Sequence, residues 1–128
     1  MMIDTCFLID YQREAKAGTH GQTIAFLEAH PDERLSISPI AWGEFMAGFQ
    51  SEEDPYIAFA RDRLDFPHLS MNVALAYRHI YRHLKTEGRL ISSNDLWIAC
   101  HAITLKLPLL TRKGSDSRRV PDLITQEY

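Results

Sequence analysis

Short apolar segments alternate with longer amphipathic ones along this chain, and the alternation predicts strands followed by helices. Residues 1–3, 35–37 and 109–111 have the apolar character of short strands, and 67–69 and 123–124 are predicted as two more. The clearest helix covers residues 72–87, where apolar side chains recur on one face: Val73, Tyr77, Ile80 and Leu84. Alternating strands and helices predict an α/β fold with a parallel sheet and helices on both faces.

Capping residues followed by proline mark two further helix starts. Ser38 and Pro39 precede a helix predicted over residues 40–49, and Asp54 and Pro55 precede one that ends near residue 64. A serine or aspartate at the N-cap with proline next is typical of a helix N-terminus. Other helices are predicted from residue 6 to about residue 13, over 23–30 and over 92–106.

The composition is that of an ordinary globular domain, and a single domain over residues 1–128 is expected. Apolar residues make up 45% of the chain and charged residues 24%. No apolar run approaches the roughly 18 residues of a membrane span, and no signal-peptide pattern opens the chain. Two cysteines, Cys6 and Cys100, form no disulfide framework. A reducing cytoplasm is therefore the expected location, with no membrane association.

Charge is divided unevenly between the two halves of the chain. Residues 1–60 carry a net charge of −7 and residues 61–128 carry +4, within a total of −3. Such a division allows an acidic pocket beside a basic rim, although ordinary solvated helix faces would give the same numbers.

Four acidic residues occupy positions that suggest a common site. Asp4 directly follows the first strand, and Asp116 lies in the loop after the strand at 109–111. Glu44 lies within an apolar helix face, and Asp95 lies in the first turn of a helix. Each has a simpler explanation on its own: a solvent-reaching edge for Glu44, a favourable helix dipole for Asp95 and an ordinary loop for Asp116.

Taken together, the four acids predict a metal site at one end of the sheet. Ligand sites of open α/β sheets lie beyond the carboxyl ends of the strands. Clustered carboxylates cannot all ionise without a cation, and Mg²⁺ or Mn²⁺ suits oxygen ligands. Such an ion activates water and orients a phosphodiester. Nearby hydroxyl and amide groups would support the ligands: Thr5, Ser38, Asn94 and Thr111.

Several segments resemble the PIN-domain ribonucleases of the VapC toxin type. The similarity is carried, in order, by MIDTCFLID, SPIAWGEFMAG, NDLWIACHAITLKLPLLTR and RRVPDL, and it covers nearly the whole chain. The resemblance implies a three-layer α/β/α sandwich with a central parallel sheet and a metal-dependent endoribonuclease activity. It also implies a homodimer and inhibition by a cognate antitoxin.

The resemblance assigns the family's functional positions to residues of this chain. Its acidic positions correspond to Asp4, Glu44, Asp95 and Asp116, and its hydroxyl and amide positions to Thr5, Asn94 and Thr111. This chain departs from the family pattern at two places in the loop after the strand at 109–111. Lys113 stands where the family often has asparagine, and Ser117 where it often has phenylalanine.

A basic rim for RNA is expected from the second half of the chain, at Arg112, Lys113, Arg118 and Arg119. Two other functions compete with cleavage. The first is a PIN-like module that binds RNA or protein without cutting. The second is a phosphotransfer receiver or aspartyl phosphatase, but the phosphatases need an acid two residues after Asp4, and Cys6 stands there.

Overall fold

A four-stranded, fully parallel sheet forms the centre of the computed structural model, which describes residues 1–112 and 116–128. The strands are β1 (Met2–Ile3), β2 (Ser36–Ile37), β3 (Leu109–Thr111) and β4 (Thr125–Glu127). Their order in the sheet is β2-β1-β3-β4, so the first strand lies inside the sheet. Met2 pairs in register with Ser36 on one side and with Leu109 on the other.

Burial of β1 shows that both faces of the sheet are covered. Successive side chains of a strand point to opposite faces, and Met2 and Ile3 are both 0% exposed. Covered faces on both sides are typical of parallel sheets. The chain thus has the predicted α/β architecture, with helices on either side of the central sheet.

Six helices flank the sheet, and their bounds are close to the predicted ones. They are α1 (Thr5–Ala17), α2 (Gln22–Ala29), α3 (Pro39–Ala47), α4 (Pro55–Arg61), α5 (Met71–Thr86) and α6 (Ser93–Leu105). Helix α1 packs on α2 and α3, while α6 packs on α3 and α5. Because α6 contacts both α3 and α5, its N-terminal turn lies between elements that come from distant parts of the sequence.

The predicted caps start two helices as expected. The Ser38 hydroxyl accepts a hydrogen bond from the amide of Ile40, and the Asp54 carboxylate accepts one from the amide of Tyr56. In both helices proline occupies the first turn, where a missing N–H costs nothing. These local signals set where α3 and α4 begin.

One predicted strand is wrong, and the predicted last edge strand exists but begins two residues later along the chain. Residues 67–69 form no strand; the nearby strand-like contact is an isolated parallel bridge between Ser36 and Asp65. The last strand is β4, Thr125–Glu127, rather than residues 123–124. Leu123 packs instead against the hydrophobic core. Leu69 of the first segment is 39% exposed, so that segment contributes neither a strand nor a core side chain. The carbonyl of Ile124 accepts a hydrogen bond from the amide of Leu109, so the second segment leads directly into β4.

Among the residues that the structure describes, no helix combines the length and the apolar character needed to cross a membrane.

Candidate active site

Asp4 lies at the carboxyl end of β1, and three elements hold it. Its Oδ1 accepts a hydrogen bond of 2.9 Å from the amide of Phe7, so the side chain is the N-cap of α1. Its Oδ2 accepts one of 2.6 Å from the hydroxyl of Thr111, at the end of β3. Its own amide bonds the carbonyl of Leu110. The carboxylate is therefore oriented by the end of the neighbouring strand as well as by its own helix.

The environment raises the pKa of the Asp4 carboxyl above its ordinary value. Burial is the main cause, and the negative charge of Asp95 acts in the same direction. The hydrogen bonds from Thr111 and Phe7 favour the ionised form and oppose the shift, as does the positive charge of Arg112. A cation beside Asp4 would relieve both the burial cost and the repulsion from Asp95.

Asp95 is supplied by the first turn of α6. The Ser92 hydroxyl donates a 2.6 Å hydrogen bond to Oδ2 of Asp95, and the Asp95 amide donates to the Ser92 hydroxyl at 3.2 Å. Ser92, rather than Asn94, is the cap of this helix. The reciprocal contact resembles a capping box and fixes the orientation of the carboxylate.

Glu44 accepts hydrogen bonds from the residue next to Asp4 and from the residue next to Asp95. Its Oε2 accepts a short hydrogen bond from the Thr5 hydroxyl, and its Oε1 accepts one of 2.6 Å from the Asn94 amide. Thr5 directly follows Asp4, and Asn94 directly precedes Asp95. Glu44 on α3 thus connects the start of α1 with the start of α6 through the side chains of Thr5 and Asn94.

A cavity of about 340 Å³ brings three of the four predicted acids to one surface. Asp4, Asp95 and Asp116 line it, together with Thr111 and Arg112. Glu44 is not among its lining residues. Ser38, predicted as a supporting group, is 0% exposed and caps α3 through Ile40, away from the cavity lining. We refer to this cavity as the acidic pocket.

Asp116 differs from the other acids in how it is held. It precedes a short 3-10 helix, Ser117–Arg119, and its carboxylate lies 3.5 Å from the Arg119 guanidinium. Both side chains of this ion pair are partly exposed. A strand end carries Asp4 and a long helix carries Asp95, whereas Asp116 directly precedes a three-residue 3-10 helix.

The predicted RNA-binding residues are each paired with an acid where the structure describes them. Arg112 contacts Asp10 at 2.9 Å, Arg118 contacts Glu127 at 2.9 Å, and Arg119 contacts Asp116. Lys113 lies outside the described residues.

Two residues beside the pocket were missed by the sequence analysis. Asp10 on α1 accepts hydrogen bonds from Arg112 and from the Tyr128 hydroxyl. A signal for Asp10 existed: it is an acid directly after the apolar residues 6–9 of α1. Nothing in the pattern around Tyr128 pointed to a contact with residues more than 100 positions earlier.

The donor set of the pocket suits a hard divalent cation. Its acids offer carboxylate oxygens, and Asp4 and Asp95 lie close enough for the charge of one to raise the pKa of the other. Among the described residues, no three His, Cys, Asp or Glu side chains are grouped closely enough to hold a metal ion together. Mg²⁺ commonly binds through one or two carboxylates and keeps several waters, so the pair Asp4 and Asp95 fits such an ion.

Comparison with known proteins agrees with this geometry. A model of the PIN domain matches residues 1–123. Ribonuclease VapC1 of Haemophilus influenzae is 33% identical over 103 residues, covering 77% of each chain. Ribonuclease VapC1 of Methanocaldococcus jannaschii is 28% identical and aligns with all of this chain and 86% of the relative.

Solved structures show the same fold. The VapBC-1 structure from nontypeable Haemophilus influenzae superposes with a TM-score of 0.75 at 29% identity, covering 98% of this chain and 96% of that one. The VapBC2 structure from Rickettsia felis, bound to a promoter DNA fragment, gives a TM-score of 0.84 at 24% identity, covering 99% and 97%. The matched family model and the VapC relatives show that this chain belongs to the PIN-domain family and, within it, to the VapC ribonucleases.

Proposed function

We propose that this chain is an endoribonuclease that hydrolyses RNA phosphodiester bonds with the help of Mg²⁺ or Mn²⁺ held at the acidic pocket. The single observation that carries the proposal is the convergence of Asp4 and Asp95 on one pocket, with Thr111 and Ser92 orienting their carboxylates. The names of the VapC relatives, each a ribonuclease, support the reaction class.

Asp4 and Asp95 would hold the cation directly, and Asp116 would complete the set through its carboxylate or a bound water. When bound, the cation would neutralise the carboxylates, acidify a water and offset the charge that develops on the phosphate. The chain's own part is to keep this geometry fixed: Glu44 ties Thr5 to Asn94, so that the residues beside the two aspartates move together.

The basic residues that follow β3 in the sequence would bind the RNA backbone. Phosphate contacts supply affinity and register rather than sequence choice. Arg112, Lys113, Arg118 and Arg119 follow β3 in the sequence, and Arg112 lines the pocket itself. Their charge offsets the acidic pocket, which would otherwise repel a polyanion.

The decisive experiment is incubation of the purified protein with labelled structured RNAs in Mg²⁺, Mn²⁺ or EDTA. We expect cleavage in either metal, none in EDTA, and none by Asp95→Asn purified in parallel. Binding of RNA without cleavage by the wild-type protein in both metals would instead support the non-cleaving module. Equal cleavage by Asp95→Asn and wild type would overturn the site assignment.

We further propose that the protein forms a homodimer and is inhibited by a protein antitoxin. The described neighbours include VapBC assemblies and a toxin–antitoxin complex from Klebsiella pneumoniae. Exposed apolar side chains on α5 support a protein partner, since Met71 is 85% exposed and Leu75 is 54% exposed.

Light scattering of the purified protein tests the dimer: a monomer at all concentrations would exclude it. Co-expression with a neighbouring gene's product, followed by the RNA assay, tests the antitoxin.

A further inference from the structure

Three residues from the two ends of the chain form a hydrogen-bonded cluster at the edge of the acidic pocket. The Arg112 guanidinium donates from Nη2 to Oδ1 of Asp10 at 3.0 Å and lies 2.9 Å from Oδ2. The Tyr128 hydroxyl donates to Oδ2 of Asp10 at 3.0 Å. The Asp10 carboxylate therefore accepts hydrogen bonds from both Arg112 and Tyr128. No local sequence pattern predicts these contacts.

The cluster is fixed to the framework of the site. Asp10 belongs to α1, which begins at the Asp4 cap, and its side chain is only 19% exposed. The Tyr128 ring packs edge-on against Phe7 of the same helix, with ring centroids 4.9 Å apart. Arg13 lies near Asp10 as well, but at 3.8 Å and with a 73% exposed side chain. Arg112 is therefore the better placed of the two arginines beside Asp10.

Arg112 directs its charge towards the pocket. It lines the same cavity as Asp4 and Asp95, and it directly follows Thr111, which donates to Asp4. The contacts with Asp10 use Nη2, whereas a guanidinium carries five N–H donors in a planar fork. A guanidinium held in this way is suited to a phosphate oxygen, which accepts such donors in fixed geometry.

We propose that Asp10 and Tyr128 are positioning residues that hold the Arg112 guanidinium at the wall of the acidic pocket, where it binds a non-bridging oxygen of an RNA phosphate. The inference deepens the proposed function and rests on it for the identity of the substrate. Holding the side chain in advance reduces the rotamer entropy that Arg112 would otherwise lose when RNA binds.

Removal of the Asp10 charge distinguishes positioning from simple electrostatics. A polyanion is repelled by a carboxylate, so long-range charge alone predicts that Asp10→Asn strengthens RNA binding. Positioning predicts the opposite, because Arg112 loses its anchor. Tyr128→Phe keeps the net charge and the ring that packs on Phe7, and it deletes only the hydroxyl that contacts Asp10 and Arg112.

The experiment measures binding of a fluorescein-labelled single-stranded RNA by anisotropy, in EDTA and in the Asp95→Asn background, so that no substrate is cut. We expect Asp10→Asn and Tyr128→Phe each to weaken binding by about 3- to 10-fold, the equivalent of one hydrogen bond. Arg112→Gln should weaken it by roughly tenfold and reduce the slope of log affinity against log salt by about 0.7. Asp10→Asn added to Arg112→Gln should cause no further loss, because both act through one contact.

Asp65→Asn is the matched control. Asp65 also pairs with an arginine, Arg34, at 2.7 Å, but it does not line the acidic pocket. This variant should bind RNA as tightly as its parent or slightly more tightly. Unchanged or stronger binding by both Asp10→Asn and Tyr128→Phe, with folding verified by circular dichroism, would overturn the positioning role. Cleavage by the otherwise wild-type protein is assayed separately, so a failure of the proposed function would be recognised independently.

Discussion

The Thr111 hydroxyl donates a 2.6 Å hydrogen bond to Oδ2 of Asp4, joining residues 107 positions apart in the sequence. The contact spans adjacent parallel strands, since Ile3 of β1 pairs with Leu110 of β3. The residue at the end of β3 thereby orients the acid at the end of β1.

Loss of the Thr111 hydroxyl should impair cleavage without unfolding the protein. Thr111→Val keeps the side-chain shape but leaves Asp4 without one of its two donors, so the carboxylate loses its fixed orientation. A hydrogen bond to a charged group contributes about 1.5–3 kcal/mol, so we expect the single-turnover rate to fall roughly 10- to 100-fold. Thr111→Ser restores the hydroxyl and should recover most of the rate. Full activity in Thr111→Val would show that the bond is not needed for catalysis.

Divalent metal should raise the melting temperature of the wild-type protein. A cation that binds only the folded pocket stabilises it by mass action, by about 2.7 kcal/mol at a hundredfold excess over its Kd. It also relieves the repulsion between Asp4 and Asp95. The measurement is a thermal scan over a titration of Mg²⁺ or Mn²⁺ into the millimolar range.

Three variants sharpen the thermal scan. Asp4→Asn should lose the metal response, and Glu44→Gln should show a smaller one, because an NH2 group replaces one of the two carboxylate oxygens that accept from Thr5 and Asn94. Asp65→Asn, outside the pocket, should respond like the wild type. A wild-type scan insensitive to both metals would argue against a preformed cation site.

Asp116→Asn should retain more activity than Asp4→Asn or Asp95→Asn. Asp116 lies at the start of a three-residue 3-10 helix and forms a partly exposed ion pair with Arg119, whereas a strand end and a helix cap position the other two acids. A carboxylate on a short surface turn contributes less to a fixed metal geometry, so higher metal concentration should recover part of the deficit. Single-turnover cleavage over a Mn²⁺ titration tests this. Equal and metal-insensitive losses in all three variants would place Asp116 on a par with the others.

Acid should destabilise the protein through His101. This side chain of α6 is 0% exposed, and the contact with the His68 backbone only partly opposes the effect of burial on its pKa. Burial lowers its pKa, so the unfolded state takes up a proton more readily than the folded state. Its stabilising effect is therefore fully present above the unfolded pKa of about 6.5 and is lost as pH falls below it.

Urea unfolding between pH 5 and pH 8 measures the effect of His101. The wild-type free energy of unfolding should decline on the acid side, and His101→Leu should decline less steeply there. His20→Asn serves as the control, because the Glu28 carboxylate raises the pKa of that exposed histidine and gives a pH dependence of opposite sign. An identical acid limb in His101→Leu and wild type would assign the sensitivity to other groups.

Local sequence patterns predicted most of the secondary structure. The Ser38-Pro39 and Asp54-Pro55 pairs marked the starts of α3 and α4, and the apolar face of residues 72–87 marked α5. Capping and amphipathic spacing are properties of neighbouring residues, so they are readable without the fold. The strand predicted at 67–69 was wrong, and the last edge strand begins at Thr125 rather than at 123, because strand formation depends on a partner that the segment itself does not specify.

The sequence by itself determined which acids and polar groups are available, where most helices begin, and the family to which the chain belongs. The tertiary structure alone decided their contacts: Glu44 reaches Thr5 and Asn94, and Thr111 reaches Asp4. It also joined Asp10 to Arg112 and Tyr128. The physical reason is that these contacts span 39 to 118 positions. Strand order and helix packing set their distances, and neither is encoded in any local stretch of residues.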